Sequence, residues 1–326
     1  MERSAATVCS PCDSAAILAK EGFAAVSEHF FVVVNPAAGG GRCGQLADAA
    51  LERLRHDAGI ELEIARTARA GEAIGIVRKA YGAGLRHFLS VGGDGTAYEI
   101  VNGLFPEALH GGRVALGFLP LGTGNSFLKD FTAHGFEHTI EALRNRTRRA
   151  VDVIRLRHAQ GDLYFINLLS LGFPADVGAT TNRRFKRFGQ LGYIFGVLTR
   201  LIGLRHSAFP HRLNAAGEWD RRACLFLTFS NSKFTGGNMM IAPKADATDG
   251  RIEYVRWSPV GRARLLWTLP RLFTGTHIDH PLASRAPATK IDFELEGPVD
   301  VMIDGEILRL DCRSLEILPG ALDVIA

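Results

Sequence analysis

The sequence predicts a two-domain α/β protein. A doubly wound parallel-sheet domain over residues 28–150 is followed by a mainly antiparallel β domain over 151–326, after an N-terminal extension, 1–27. Three observations predict this. At 326 residues the chain exceeds the usual size of one domain, which favours two cores sharing a cleft. Up to residue 150, short apolar runs alternate with helical patterns, the signature of βαβ units and a parallel sheet. Beyond it, strand-like runs follow one another with turn residues between them, which reads as antiparallel pairing.

Residues 1–27 carry no strong period. The continuous apolar run Phe31-Val32-Val33-Val34 predicts a strand over 30–34 that is covered on both faces. A helix over 42–58 places Leu46, Ala50, Leu54 and Ala58 on one face and stops at Gly59. A strand over 62–65 and a helix over 71–81, with Ile74, Val77 and Tyr81 in line, come next. Strands over 88–91 and 114–119 complete the alternation, and Thr96 occupies the N-cap position of the helix between them. The second half reads as strands over 151–156, 163–169, 223–229, 252–255, 291–295 and 299–303, with helical patterns over 186–204 and 259–273.

A composition of 47% hydrophobic and 22% charged residues is that of a globular protein, and the 36 glycines concentrate in turns. The apolar stretch over 191–204 contains Arg200 and is shorter than the roughly 20 residues a spanning helix needs, so no transmembrane helix is expected. No signal peptide or acyl anchor is indicated, and a cytoplasmic location follows as the expectation. Five scattered cysteines do not form a disulfide framework, and the Cys9–Cys12 pair lacks the partners of a structural zinc site. The formal charge of +4 is too mild for a nucleic-acid binder. Two basic clusters stand beside apolar residues: Arg183, Arg184, Lys186 and Arg187, and then Arg262, Arg264 and Arg271 among Leu265, Leu266, Trp267 and Leu269. They suit peripheral contact with an anionic membrane surface, or equally the solvated faces of core helices. A homodimer is left open.

Three glycine-rich turns, each between a strand and a helical pattern, carry the functional signal. They are Asn35-Pro36-Ala37-Ala38-Gly39-Gly40-Gly41, Gly92-Gly93-Asp94-Gly95-Thr96 and Pro120-Leu121-Gly122-Thr123-Gly124-Asn125-Ser126. A glycine turn at a helix N-terminus bares N–H groups to a phosphate. A carboxylate in the middle turn, Asp94, would repel phosphate unless a cation mediates, so the set points to a nucleotide with a metal.

The middle turn and its continuation, Ala97-Tyr98-Glu99-Ile100-Val101-Asn102-Gly103-Leu104, resemble the signature of the diacylglycerol kinase catalytic domain family, which includes bacterial lipid kinases, sphingosine kinases and ceramide kinase. The resemblance extends to Asn167 through Phe173, to Gly236-Gly237-Asn238-Met239 with Pro243 and Asp249-Gly250, and to Asp304-Gly305-Glu306. It implies an NAD kinase-like α/β nucleotide-binding domain with a β-sandwich-like second domain. It also implies transfer of the γ-phosphoryl of ATP to a lipid alcohol such as diacylglycerol or a sphingoid base, with Mg²⁺ required. ATP would be held by Asn35, Thr67, Gly92, Gly93, Asp94, Gly95, Thr96, Glu99, Gly122, Thr123 and Asn125. Asp94 would organise Mg²⁺ through water, Glu306 would be the general base, with Asp94 as the alternative base, and Asp304 would support that network. Some bacterial members bind a second Mg²⁺ in the loop that here contains Asp246, Asp249 and Arg251, with Asp249 as the side-chain ligand; a plain Asp-Gly turn explains those residues equally well. Many bacterial members carry Asp where this chain has Ser126. An NAD kinase-like enzyme and a non-catalytic nucleotide- or lipid-binding regulatory protein are the competing readings.

Overall fold

A computed structural model describes residues 28–180, 199, 201–215 and 217–326. The extension 1–27 with Cys9 and Cys12, the basic cluster Arg183 to Arg187, the residues Phe195 and Leu198, and most of the helical pattern over 186–204 lie outside the described residues.

Strands β1 (His29–Val34), β2 (Glu61–Arg66), β3 (His87–Gly92) and β4 (Ala115–Pro120) pair in parallel in the order β2-β1-β3-β4. Helices α1 (Arg42–Ala58), α2 (Glu72–Gly82) and α3 (Asp94–Leu104) make the connections. The chain leaves β1 toward one edge and β3 toward the other. The carboxyl ends of these two strands therefore diverge, which opens a crevice where α/β sheets bind ligands. Phe30, Val32 and Val34 pack with α1, and Phe31 and Val33 with α2 and α3, so both faces of β1 are buried.

The buried face of α1 differs from the expected one. Cys43, Ala47, Leu51 and Leu54 point inward, and Leu46 is 39% exposed. The entry to the helix is tight. Gly39, Gly40 and Gly41 hold φ of 63°, 70° and 93°, and Gly44 sits so close to Pro36 that a Cβ would lie 3.2 Å from its ring. The start of α3 also differs. Gly93 is its N-cap, the helix begins at Asp94, and Thr96 is buried inside its first turn.

After α4 (Gly135–Arg144), β5 (Arg149–His158) and β6 (Gly161–Phe165) form a hairpin that extends the first sheet. The final strand, Cys312–Ile325, runs antiparallel to β5, and through Asp323, Val324 and Ile325 it runs parallel to β4. It joins the parallel region to the second half in one sheet. A second, wholly antiparallel sheet has the order Ala283–Ala288, Ile252–Trp257, Phe226–Ser230, β7 (Leu168–Gly172), Val299–Ile303, Glu306–Leu310. Phe165, Leu171, Phe229, Ile291, Phe293 and Leu315 fill the space between the sheets. Burial stabilises each such side chain by ~1.5–3 kcal/mol. On the outer face, Phe226, Val255, Trp257 and Met302 pack beneath α5 (Phe173–Thr180) and α6 (Arg262–Thr274).

The expected single strand over 163–169 is two strands in two sheets. The chain crosses between them at Ile166-Asn167, and the Asp304 carboxylate accepts the N–H groups of Ile166, Asn167 and Leu168 at 3.0–3.1 Å there. The expected strand over 223–229 is likewise interrupted at Leu225, whose N–H donates to Trp257 O while its carbonyl accepts from Phe173. No helix among the described residues is long and apolar enough to cross a membrane.

Candidate active site

The three glycine turns interlock at the carboxyl ends of β1, β3 and β4. Asn35 donates its N–H to Val91 O at 3.0 Å and its side-chain amide to Thr96 Oγ1 at 3.2 Å, tying the first turn to the second. Gly122 donates to Gly92 O at 2.7 Å, and a Cβ on Gly122 would stand 2.4 Å from Gly93 Cα. A Cβ on Gly39 would meet Leu121 O at 2.8 Å. These glycines are needed for close backbone approach at the start of α3, where the N–H groups of Thr96 and Ala97 donate to Gly93 O, those of Asp94 and Gly95 lie ahead of any intrahelical acceptor, and the helix dipole is positive.

Asp94 is half-buried in this arrangement. Its carboxylate accepts the N–H of Ser126 at 2.9 Å and that of Phe127 at 3.3 Å, so the second turn is clamped to the third. Burial pushes its carboxyl above the usual range, while the hydrogen bonds and the Lys129 ammonium pull it down. Ser126, 2% exposed, accepts Gly237 N–H at its hydroxyl at 3.1 Å. An aspartate at that position would bring a second carboxylate against Asp94. Asn125 reaches φ 47° and donates its amide to Gly122 O, and Thr123 is exposed at the tip of the turn.

The sequence reading missed Lys129. It follows the third turn on the short helix Phe127–Asp130, and its ammonium donates to Asn238 Oδ1. Burial lowers the Lys129 pKa, and the Asp94 charge raises it again. Its sequence signal is a lysine four residues past the Asn125 of a phosphate-type turn.

Asp304-Gly305 is a tight turn between the antiparallel strands Val299–Ile303 and Glu306–Leu310. Both residues have positive φ, 48° and 89°, as a two-residue turn of this hand requires. The turn delivers Glu306 to the second glycine turn, where a Cβ on Gly95 would lie 2.5 Å from Glu306 Oε1. The carboxylate of Asp304 is instead committed to the backbone N–H groups at the sheet crossing. Burial, together with the Asp94 charge, raises its pKa to about 7 against those three hydrogen bonds. Tyr98 is buried beside this group; burial first, then the charges of Asp304, Glu306 and Glu99, push its hydroxyl far up. Carboxylates gathered against phosphate-type turns would favour a divalent cation at this place.

Other expected residues take different positions. Thr67 follows β2 and donates both its N–H and its hydroxyl to Val34 O. Glu99 caps the start of α2, accepting Gly71 N–H at 2.8 Å and Ala73 N–H at 3.1 Å, so its carboxylate serves that helix. Asp246 accepts from Thr248, and Asp249 accepts from Arg251 N–H. The Asp246 and Asp249 charges also raise the Asp152 carboxyl, after burial. Among the described residues no three His, Cys, Asp or Glu side chains converge as metal ligands. A cation at Asp94 would therefore complete its shell with phosphate oxygens and water, as Mg²⁺ does.

Under α6 lies a narrow apolar pocket lined by Phe173, Leu225, Phe226, Trp257, Leu269 and Leu272. Ile307, next to Glu306, packs against the same apolar cluster. A larger cleft of about 490 Å³, between α2, α3 and β6, contains Arg78, Asn102 and Tyr164 but none of the expected site residues.

Residues 29–156 match the diacylglycerol kinase catalytic domain, and residues 167–326 match the YegS C-terminal NAD kinase beta sandwich-like domain. The chain is 32% identical over 270 residues to a Pseudomonas syringae protein named "Probable lipid kinase YegS-like", covering 82% of this chain and 84% of that protein. It is 27% identical to a Mycobacterium tuberculosis protein named "Diacylglycerol kinase", covering 90% and 93%. A solved structure described as a diacylglycerol kinase from Bacillus anthracis superposes with TM-score 0.65 at 19% identity, over 92% of this chain and 96% of that one. Another structure from that organism gives 0.74 at 21% identity, over 92% and 95%, and both likenesses concern the fold alone. With both halves matched in order and a 32% identical relative spanned over most of its length, the chain belongs to the family of lipid kinases that joins a diacylglycerol kinase catalytic domain to a YegS-type C-terminal domain.

Proposed function

We propose that this protein transfers the γ-phosphoryl group of Mg-ATP to the hydroxyl of a lipid alcohol. The observation that carries the proposal is the approach of Glu306 Oε1 to Gly95, which sets a carboxylate at the mouth of the phosphate-type turns. The next residue, Ile307, packs against the apolar cluster that also supplies walls of the pocket under α6. The N–H groups opening α3 and the third turn hold the phosphates, and Lys129 adds charge beside Asp94. Mg²⁺, when bound, would neutralise the charge that develops on the phosphates, and Asp94 is the residue that would hold it. Glu306 accepts the proton of the lipid hydroxyl as its oxygen bonds to the γ-phosphorus; the bond from that phosphorus to the β–γ bridging oxygen breaks, and ADP leaves. In the acidic loop, Asp249 and the carbonyls of Asp246 and Arg251 would be the groups to hold a second Mg²⁺, although the Asp246 and Asp249 carboxylates accept hydrogen bonds from Thr248 and Arg251 N–H as in a plain Asp-Gly turn.

ATP turnover with mixed lipid micelles tests the roles. Glu306→Ala lowers kcat by about 10²–10⁴-fold. Asp94→Asn raises the Mg²⁺ concentration needed for half-maximal rate. Equal rates in wild type and both variants would remove both assignments.

A further inference from the structure

Helix α6 carries large apolar side chains on both of its faces. The inner face, with Leu265, Thr268, Leu269 and Leu272, lines the pocket. The outer face presents Trp267, Phe273 and Leu266, which are 85%, 56% and 44% exposed. Five large hydrophobic side chains are exposed among the described residues, and these are three of them, on one 13-residue helix. Ile202, another of the five, follows Leu201, which packs in the same buried cluster as Leu265. Such a concentration marks a surface that meets a partner.

The charges say which partner. Arg262, Arg264 and Arg271 are exposed on the same helix, and no ion pair holds any of their guanidinium groups among the described residues. From Tyr254 to Ile278 the sequence has no Asp or Glu. Tryptophan next to unpaired arginines suits the boundary between headgroups and acyl chains, where the indole is half wetted and the arginines meet lipid phosphates. A second copy of the chain is a poor occupant, because a two-fold contact would set this arginine-rich face against itself.

We propose that the outer face of α6 docks this protein on an anionic lipid bilayer. Trp267 and Phe273 enter the headgroup region, and Arg262, Arg264 and Arg271 bind lipid phosphates. The purpose of the surface rests on the lipid-kinase reading above: one helix then both grips the bilayer and walls the pocket that receives a lipid from it.

Flotation of the full chain with phosphatidylcholine vesicles, with and without phosphatidylglycerol, tests the surface. Wild type floats with the anionic vesicles, and added salt weakens this. The double variant Arg264→Ser/Arg271→Ser binds about thirty-fold more weakly, at ~1 kcal/mol per arginine. Trp267→Ser weakens binding by roughly tenfold. Brominated lipid quenches the wild-type tryptophan emission, and Trp267→Phe, which keeps the apolar surface, loses that quenching. Transfer of phosphate to a short-chain lipid alcohol dispersed as monomers stays at the wild-type rate in every variant, because none of these residues lines the pocket. The proposal is overturned if wild type ignores anionic vesicles, if the variants bind as wild type does, or if light scattering shows that the variants change only the oligomeric state. Flotation without phosphorylation of any lipid alcohol would sink the kinase reading and leave the docking surface standing, and the reverse result would do the opposite.

Discussion

The phosphate side and the acceptor side of the candidate site are made of different material. On the phosphate side, backbone lies against backbone: Gly39 against Leu121, Gly93 against Gly122, and a carboxylate, Asp94, stitched to the next turn by main-chain N–H groups. On the acceptor side, one exposed side chain, Glu306, stands on a tight turn, and the surroundings are packed hydrophobic residues. Backbone geometry tolerates little change in sequence, whereas an apolar wall can be built from many combinations of residues. The first side should therefore fail by misfolding when altered, and the second by loss of rate or selectivity.

Glu306→Ala and Gly122→Ala give the largest contrast. The first costs rate by the factor already stated and leaves Tm near wild type, since it truncates an exposed side chain. The second forces a methyl group to within 2.4 Å of the Gly93 backbone, lowering stability by about 1–3 kcal/mol and abolishing ATP binding. Thermal unfolding and ATP titration on the same samples separate the two, and a stable, ATP-binding Gly122→Ala would break the comparison.

A smaller effect is expected from filling the pocket. Leu269→Trp narrows the wall beneath α6, so KM for a long-chain lipid alcohol rises about tenfold while KM for ATP is unchanged. Ser126→Asp sharpens the phosphate side. A second carboxylate beside Asp94 raises the coupled pKa values and moves the acid limb of the pH–rate profile upward.

A separate effect is on stability against pH. Asp304 has a folded pKa of about 7, above its unfolded value, so its contribution is full below the unfolded pKa and is lost as pH rises through about 7. Asp304→Asn removes that group, and urea midpoints measured across this range change less with pH in the variant than in wild type.

The same division governs what the sequence made legible. The parallel alternation and the antiparallel second half follow from apolar spacing and turn residues, because each element repeats its own local period. The buried face of α1 is a second apolar stripe, Cys43, Ala47, Leu51 and Leu54, which overlaps the expected one at Leu54, and spacing alone does not choose between the two. Residues 163–169 read as one strand because all but Asn167 are apolar and strand-compatible, and the break at Ile166-Asn167 is held by Asp304, more than 130 residues away. Glu99 illustrates a different limit: its place in the motif is plain, yet only tertiary contact shows that its carboxylate caps α2. Lys129 acquires interest solely through its nearness to Asp94 and Asn238.

The most direct test of the account is transfer of labelled γ-phosphate from Mg-ATP to a panel of lipid alcohols in detergent micelles, with NAD as a separate acceptor. The account predicts label on a lipid alcohol and none on NAD, with the lipid signal lost in Glu306→Ala. Label on NAD alone, or on lipid at an undiminished rate in Glu306→Ala, would contradict it.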